Sequence, residues 1–276
     1  MGLPTIDISL FYEFDDPSRQ VLYEDPLAER TKAIKALLAS LAAYGGFKIV
    51  GHGIPGNTIQ RVFNSSVEFF SLHKHIKNSA AGSRHKNGRL RGYWGRGMLD
   101  PNVTDLVIQE TFVAAPATDR QAPTPWPIGV RGDILQMTMQ PFPRDCANLH
   151  HDLLHILEEA LGLWNNELVS RWPSADGEVH CTHHPVSRPA TTSQLEALVS
   201  QIENRDARLM LALGFQDGTS EEILVVCGAT VRKRIQARLG TVGEKSRIAS
   251  QTGRDGQHPK YSVSYIGYEN SAVYVT

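Results

Sequence analysis

A change in residue pattern near position 165 limits which fold this chain can adopt. Before it, long segments repeat apolar residues every three or four positions, as amphipathic helices do. The clearest segment runs from Asp145 to Gly162, and its apolar positions are Cys146, Leu149, Leu153, Leu157 and Leu161. From Val179 onward, short apolar runs separated by polar residues indicate strands. The chain is therefore expected to combine a helix-rich first half with a β-rich second half.

Charge and cysteine content narrow the possible partners and location. The 28 basic and 29 acidic residues nearly cancel, so no broad field favours nucleic acid or an anionic membrane. No signal-like N-terminus and no apolar run of bilayer length occur in the sequence. The three cysteines, Cys146, Cys181 and Cys227, are odd in number and widely spaced, which favours a reducing compartment. A cytoplasmic protein is expected, and the sequence does not indicate its oligomeric state.

Helix and strand signals alternate in the first half. Residues 3–10 alternate apolar and polar positions and are expected to form a strand. Asp25 followed by Pro26 is typical of a helix start, and Gly45 with Gly46 is typical of its end. A second strand is expected at 47–50, and one long helix from about 57 to 77.

Four short motifs follow one another along the first half of the chain: His52-Gly53-Ile54, Arg91-Gly92-Tyr93, Gln109-Glu110-Thr111-Phe112 and Trp126-Pro127. They occur in the order found in the isopenicillin N synthase-like branch of the iron(II)- and 2-oxoglutarate-dependent dioxygenases, and the chain resembles that family. The resemblance implies an α+β fold with a double-stranded β-helix (jelly-roll) core flanked by N-terminal helices. One domain over 1–276 is expected, helix-rich over 1–165, with a shortened jelly roll over 166–276.

The positions of the family's iron ligands carry other residues in this chain. Aligned without gaps on 211–217, the metal-binding strand of the family places its His at Arg205 and its Asp at Ala207. The distal His falls on Glu244, or on Gly243 if the register slips by one residue. Arginine offers only donors and alanine has no ligand atom, so a facial triad cannot be built from them. The alignment predicts no metal site and no cofactor. It also predicts that Arg205 and Glu244 form an ion pair where the metal would lie.

Two further segments resemble the cavity strands of the family. Strand alternation places His180, Thr182 and His184 on one face. Lys260 and Ser262 resemble the family's Arg-x-Ser pair, which holds the distal carboxylate of 2-oxoglutarate. Lysine keeps the charge of the arginine but lacks its two-pronged geometry. The substrate-binding residues expected on this basis are Thr182, Leu213, Phe215, Lys260, Ser262 and Tyr93.

Changed ligand positions within a recognisable fold favour a metal-independent biosynthetic enzyme. It would catalyse the cyclisation (including pericyclic ring closure), isomerisation or dehydration of a small natural-product intermediate. Histidine can move protons near neutral pH, and cationic groups can stabilise a developing oxyanion. The expected catalytic residues are His184, His180, Arg205 and Glu244. Two alternatives stay open: an oxygenase with rebuilt ligands recruited from His180 or His184, and a catalytically silent binding or scaffold protein.

Overall fold

The computed structural model describes residues 3–12, 25–84, 90–95, 110–120, 122–164, 167–169, 177–183, 207–215, 222–243 and 261–268. Within these ranges the helices are α1 (Pro26–Tyr44), α2 (Gly56–Ser71), α3 (Lys74–Ser79), α4 (Val130–Met139), α5 (Phe142–Leu161) and α6 (Ala229–Leu239). The strands are β1 (Thr5–Asp7), β2 (Gly46–Val50), β3 (Ser83–Arg84), β4 (Leu90–Trp94), β5 (Glu110–Ala114), β6 (Gly177–His183), β7 (Ala207–Phe215), β8 (Ile223–Cys227) and β9 (Tyr261–Tyr268).

The described strands form one nine-stranded sheet to which both halves of the chain contribute. Their order is β1-β2-β8-β7-β9-β6-β5-β4-β3. β1 and β2 pair in parallel, and every other neighbouring pair is antiparallel. β9 comes last in sequence but lies in the middle of the sheet, between β6 and β7. The first half therefore supplies five strands in addition to its helices.

The sheet separates two environments because side chains alternate along its strands. On one side, Val179 and Cys181 of β6 and Tyr265 of β9 belong to the main apolar core, together with buried residues of α1, α2 and α5. We call this side the helix face. The alternate residues of the same strands, such as His180 and Ser264, point to the opposite side, which we call the far face.

The structure confirms the two long helices predicted in the first half of the chain, α1 and α5. The Asp25 carboxylate accepts a hydrogen bond from the Ala28 amide at 3.0 Å, which caps α1. Gly45 ends α1 with a φ of 70°, a conformation that glycine adopts without steric cost. α5 begins at Phe142, three residues before the predicted start. All five of its predicted apolar positions are buried.

The predicted helix from 57 to 77 is wrong in one respect, because the structure breaks it into α2 and α3. Leu72 and His73 have extended backbone conformations, with ψ of 157° and 143°. The break turns Lys77 back, so that its ammonium donates to the Phe70 carbonyl at 3.1 Å and to Glu110 at 2.9 Å. This long-range ion pair stabilises a bend that helical periodicity does not contain.

Two smaller differences also have local causes. Only Thr5–Asp7 of the predicted strand over 3–10 is extended. The Asp7 carboxylate accepts from the Ser9 amide at 3.0 Å and starts a 3-10 turn. Helices α4 and α6 were not predicted. None of the helices in the described part of the chain combines the length and hydropathy needed to cross a bilayer.

Two glycines that end helices with positive φ give a test of this packing. A Cβ on Gly45 would lie 2.0 Å from Nη1 of Arg232, whereas a Cβ on Gly240, with φ of 73°, would meet nothing within 4 Å. Gly240→Ala is expected to lower the free energy of unfolding by about 1–2 kcal/mol through backbone strain alone. Gly45→Ala is expected to cost about 1 kcal/mol more, because it displaces an arginine that donates to the Gly243 carbonyl at 2.6 Å. Urea unfolding measures the free energy of unfolding of both variants. An equal decrease in the two variants would contradict the predicted clash with Arg232.

Candidate functional site

A row of three hydroxyl side chains crosses the far face in the middle of the sheet. Thr111 of β5 lies opposite Thr182 of β6, and Thr182 lies opposite Ser262 of β9. All three side chains are buried. The backbone of Phe215 on β7 continues the row beside Ser262. The register therefore brings together Thr182, Ser262 and the Phe215 position, three of the predicted substrate contacts.

A second row lies two residues further along each strand, about 7 Å away. It contains Val113 of β5, His180 of β6 and Ser264 of β9. His180 and Ser264 are 2% and 1% exposed. His180 and Thr182 therefore lie on the same face of the sheet, in adjacent rows. The structure shows for these two residues the alternation that was predicted along β6.

His180 is held in place by a carboxylate that the sequence analysis did not identify. Its Nε2 lies 3.0 Å from Oε2 of Glu178, and the same oxygen accepts from the Tyr268 hydroxyl at 2.9 Å. The other carboxylate oxygen accepts from Nη1 of Arg91. Glu178 is two residues before His180 on the same strand. Because every second side chain of a strand lies on the same face, strand alternation could have identified Glu178 from the sequence.

The Arg91 guanidinium donates hydrogen bonds to four partners. Besides Glu178, it donates to the Asp119 carboxylate at 2.6 Å and to the carbonyls of Ala122 and Leu90 at 2.9 and 2.7 Å. The side chains of Arg91 and Glu178 are each only 1% exposed. A buried ion pair of this kind fixes geometry more than it adds stability, because desolvation offsets the Coulomb attraction.

Tyr93 lies on the helix face, separated from the two rows by the sheet. Its hydroxyl donates to Glu110 at 2.7 Å, and its ring packs edge-on against Phe69. Tyr93 is the cross-strand partner of Phe112, whose side chain belongs to the main core. The register thus places the Tyr93 side chain in the packing against the helices. Tyr93 does not lie with Thr182 and Ser262, with which it was predicted to bind substrate.

Leu213 is likewise placed in the main core with the helix-face residues. The pairing of β7 with β9 is irregular between Ala212 and Gly214. Ala212 belongs to a separate apolar cluster of far-face residues that includes Met210 and Ile266. The β-bulge therefore separates Leu213 from the hydroxyl row that ends at Phe215.

Glu110 collects a cluster of polar groups on the helix face. Its carboxylate accepts from Tyr93, from Lys77 at 2.9 and 3.1 Å, and lies 3.0 Å from Nδ1 of His183. Burial raises the pKa of Glu110, but the hydrogen bonds from Tyr93, His183 and Lys77 outweigh burial, so that the pKa is lowered. The His183 ring stacks on Tyr261 at 4.5 Å. This cluster ties α3 to β4, β5 and β6.

Burial makes the thiols nearby poor nucleophiles. Cys181 points into the helix-face core, and burial raises the pKa of its thiol to about 12. Burial also raises the pKa of Cys146 well above its usual range. Both thiols are neutral at physiological pH, and a neutral thiol is a poor nucleophile and metal ligand.

Four predicted site residues, His184, Arg205, Glu244 and Lys260, lie outside the described residues. The predicted ion pair between Arg205 and Glu244 therefore stays a prediction. Ala207 is the first residue of β7, and its side chain has no ligand atom.

The described residues do not fit a ferrous ion. Across the ranges that the structure describes, no three His, Cys, Asp or Glu side chains lie close enough together to hold a metal. The nearest arrangement on the far face is His180 with Glu178. There the carboxylate already accepts from Arg91 and Tyr268, which leaves it poorly placed to serve as a ligand.

The chain is similar to fungal dioxygenases in sequence. A family model described as "non-haem dioxygenase in morphine synthesis N-terminal" matches residues 3–128. The 2-oxoglutarate-dependent dioxygenase frbA of Dothideomycetidae sp. (strain 11243) is 28% identical over 204 residues, which cover 70% of this chain and 57% of that protein. The 2-oxoglutarate-Fe(II) type oxidoreductase ppzD of Metarhizium rileyi is 27% identical over 57% of this chain and 48% of its own length. The chain thus spans about half the length of these curated relatives.

Solved structures of oxygenases share the fold. A Neurospora crassa protein solved in complex with alpha-KG and thymine superimposes with a TM-score of 0.67 at 19% identity, covering 97% of this chain and 86% of that protein. A putative 2OG-Fe(II) oxygenase family protein from Caulobacter crescentus has a TM-score of 0.67 at 16% identity, covering 98% and 88%. These similarities confirm the predicted α+β fold with a jelly-roll core.

The comparisons overturn the expectation of a metal-independent cyclase, isomerase or dehydratase. The similar curated proteins are named as 2-oxoglutarate-dependent dioxygenases, and one structure that shares the fold, JOX2, was solved in complex with 2OG, Fe and JA. The prediction was wrong because it took three positions of a gap-free alignment as decisive. Two of them, Arg205 and Glu244, lie outside the described residues, so the loss of iron ligands stays an alignment-based hypothesis.

The buried Arg91–Glu178 pair gives a stability prediction with a matched surface control. Arg91→Leu is expected to lower the free energy of unfolding by about 3–5 kcal/mol, because it leaves the Glu178 carboxylate buried without its cation. The control is Arg131→Leu, which breaks a pair with Glu68 whose side chains are 61% and 56% exposed. It is expected to cost less than about 1 kcal/mol. Chemical denaturation measures the free energy of unfolding of both variants. Similar decreases in the two variants would show that the buried pair contributes no more to stability than the exposed pair.

The Glu110 cluster predicts a loss of stability in acid. The pKa of Glu110 is lowered from its ordinary value of 4.5, so its charge stabilises the fold above the unfolded-state pKa. That contribution disappears as the pH falls through the lower folded-state pKa. The difference in free energy of unfolding between wild type and Glu110→Gln is expected to be constant above about pH 5 and to shrink below about pH 4.

Denaturant titrations of both proteins between pH 3 and 7 measure this difference. Glu68→Gln, which removes an exposed carboxylate, controls for the loss of one acidic charge. The same pH dependence in both variants would contradict a specific role of the Glu110 cluster.

Proposed function

We propose that the chain is a member of the family of 2-oxoglutarate- and Fe(II)-dependent dioxygenases, and that it oxidises a small organic molecule with 2-oxoglutarate as co-substrate. The observation that carries this proposal is the hydroxyl row of Thr182 and Ser262. It lies on the two strands that resemble the co-substrate strands of the family, on the face of the sheet away from the helices. The dioxygenase names of the curated relatives support the reaction type.

The hydroxyl row suits one end of a dicarboxylate. Hydroxyls donate hydrogen bonds to carboxylate oxygens, and such bonds are stronger than bonds between neutral groups. Lys260, two residues before Ser262, is proposed to supply the positive charge. A lysine binds a carboxylate as a point charge and without the two-pronged geometry of arginine. We therefore expect weaker geometric selection among dicarboxylates than an arginine would give.

The metal ligands of this oxygenase are proposed to form a rebuilt set. His184 is the first candidate, since it directly follows β6 in sequence. His180 is the second candidate, although its Nε2 is engaged by Glu178. Imidazole is a suitable ligand for iron.

The decisive experiment is an anaerobic titration of metal-stripped protein with Mn(II) or Fe(II) and 2-oxoglutarate, followed by a succinate assay in air with Fe(II). Binding and succinate release are expected. Ser262→Ala is expected to raise the KM for 2-oxoglutarate about tenfold or more, because a hydrogen bond to a charged group contributes about 1.5–3 kcal/mol. Neither binding nor succinate with any added metal would reject the proposal.

Two control variants make the result specific. Ser66→Ala removes another buried hydroxyl, which donates to the Phe63 carbonyl within α2, and it is expected to leave the KM unchanged. His184→Ala is expected to weaken Mn(II) binding at least tenfold, whereas His151→Ala, which removes a histidine of α5, is expected to leave it unaffected. Mn(II) binding that survives His184→Ala would move the ligand search to His180.

A further inference from the structure

Helix α4 carries apolar side chains on two sides. Leu135 and Met139 are buried in the main apolar core. Val130, Ile134 and Met137 are instead 74%, 44% and 78% exposed. A surface helix normally places polar residues on the side away from the core. The outer side of α4 therefore departs from the pattern of a helix that faces only water.

The three exposed residues form a continuous stripe along α4. Spacings of four and three residues make neighbours on a helix surface. At 100° per residue the three side chains lie within about 60° of one another, and roughly 150° from the mean direction of Leu135 and Met139. We call Val130, Ile134 and Met137 the α4 stripe. The same spacing occurs along the seam of a two-stranded coiled coil.

Exposed apolar residues are concentrated at this helix. Within the part of the chain that the structure describes, the large hydrophobic residues with high exposure are Leu27, Ile128, Val130, Ile134, Met137 and Trp164. Four of these six fall between positions 128 and 137. Single exposed apolar residues are normal on a protein surface, whereas contiguous ones mark interaction sites.

The size of the exposed surface limits the kind of complex it can form. Together with Ile128, which is 65% exposed, the α4 stripe offers apolar surface on the order of 500 Å². Two copies of the chain joined through it would bury on the order of 1,000 Å², which is near the lower limit for a specific interface. Such an area is sufficient for a reversible dimer and too small for an obligate one.

The charges beside the α4 stripe suit a second copy of the same helix. Arg131 and Asp133 lie on opposite flanks of the stripe. A two-fold axis parallel to α4 places each flank against the opposite flank of the partner, so that Arg131 meets the partner's Asp133 and the pairing occurs twice. The two positions differ by about 3 Å along the helix axis, well within the reach of an arginine. Arg131 also donates to Glu68 of its own chain at 2.8 Å, and its five N–H donors allow both contacts.

A membrane surface suits the α4 stripe less well. Helices that lie on membranes carry an excess of Lys and Arg beside their apolar side. Here one basic residue, Arg131, is accompanied by the acidic residues Asp133 and Glu68. The flanks therefore provide no net attraction to anionic lipid.

We propose that the chain forms a reversible, two-fold symmetric homodimer in which the α4 stripe of each copy packs against that of the other. The helices run parallel, and Arg131 of each copy pairs with the partner's Asp133. From the limited area we expect a Kd on the order of 10–100 µM. This inference does not depend on the proposed oxygenase function.

The first test is sedimentation equilibrium of the wild type between about 1 and 300 µM. The mean mass is expected to rise from that of one chain toward that of two. Met137→Ser is expected to raise the Kd at least about tenfold, because it removes apolar surface from both copies. The matched control is Leu27→Ser, which changes a residue of 75% exposure outside α4, and it is expected to leave the Kd unchanged.

Three results of this test would overturn the proposal. One is a monomer at every concentration, and another is an equal effect of Met137→Ser and Leu27→Ser. The third is a monomer that sediments with vesicles of anionic phospholipid, which would assign the α4 stripe to a membrane surface.

The second test exchanges the flanking charges. Asp133→Arg places like charges opposite each other at two positions and is expected to raise the Kd at least about fivefold. Adding Arg131→Asp to the same chain restores opposite charges, and the Kd is expected to return to within about threefold of wild type. A double variant that dimerises no better than Asp133→Arg would overturn the paired charges.

A cross-linking test does not depend on the charge variants. The chain's three cysteines are buried, so a cysteine introduced at position 137 is the thiol available to an added oxidant. In the parallel dimer Met137 meets the partner's Met137. Met137→Cys is therefore expected to form disulfide-linked dimers under mild oxidation, whereas Leu27→Cys is not. Equal cross-linking of both variants, or none in Met137→Cys, would overturn the proposed arrangement.

Discussion

The pairing of β9 with β6 and β7 in the middle of the sheet is the constraint on which the site depends. This register places Ser262 and Ser264 on the far face and Val263 and Tyr265 in the helix-face core. Because side chains alternate along a strand, a slip of one residue would exchange the two sets. Burying Val263 and Tyr265 against the helices therefore fixes the positions of the hydroxyls. The apolar core and the polar rows result from the same register.

A second level of order comes from the buried ions around Arg91. The guanidinium joins β4 to β6 through Glu178 and to the segment around Asp119 and Ala122. Taking these charges out of water is costly, and their mutual attraction offsets that cost only if the geometry is good. The cluster therefore selects one arrangement of these elements. One consequence is a fixed His180 ring beside the hydroxyl rows of the far face.

The sequence was informative where structure is local and less so where it depends on distant partners. Three predictions depend on residues close together in sequence, and all three are confirmed. They are the cap of α1 at Asp25, the end of α1 at Gly45 and the buried apolar face of α5. The break between α2 and α3 depends on Lys77 reaching Glu110, 33 positions away. The Arg91–Glu178 bond spans 87 positions. Periodicity carries no information about such pairs.

The same distinction between local and long-range information applies to the predicted site residues. Alternation along β6 was sufficient to place His180 and Thr182 together. Tyr93 and Leu213 were grouped with them by motif alone, but cross-strand register and a β-bulge place both on the helix side. A motif fixes a residue's position along the chain, whereas the face it occupies depends on the strand beside it.

The functional prediction went wrong for a related reason. It inferred loss of chemistry from the identities of Arg205, Ala207 and Glu244, and so assumed that a metal site can form only at the family's own ligand positions. Ligation requires donors that converge in space, and donors can reach one point from different places in a sequence. Absent ligands at aligned positions therefore argue only against the family's own ligand arrangement. The far face, with its hydroxyl rows held by an apolar core, is fixed by strand register and does not depend on the alignment.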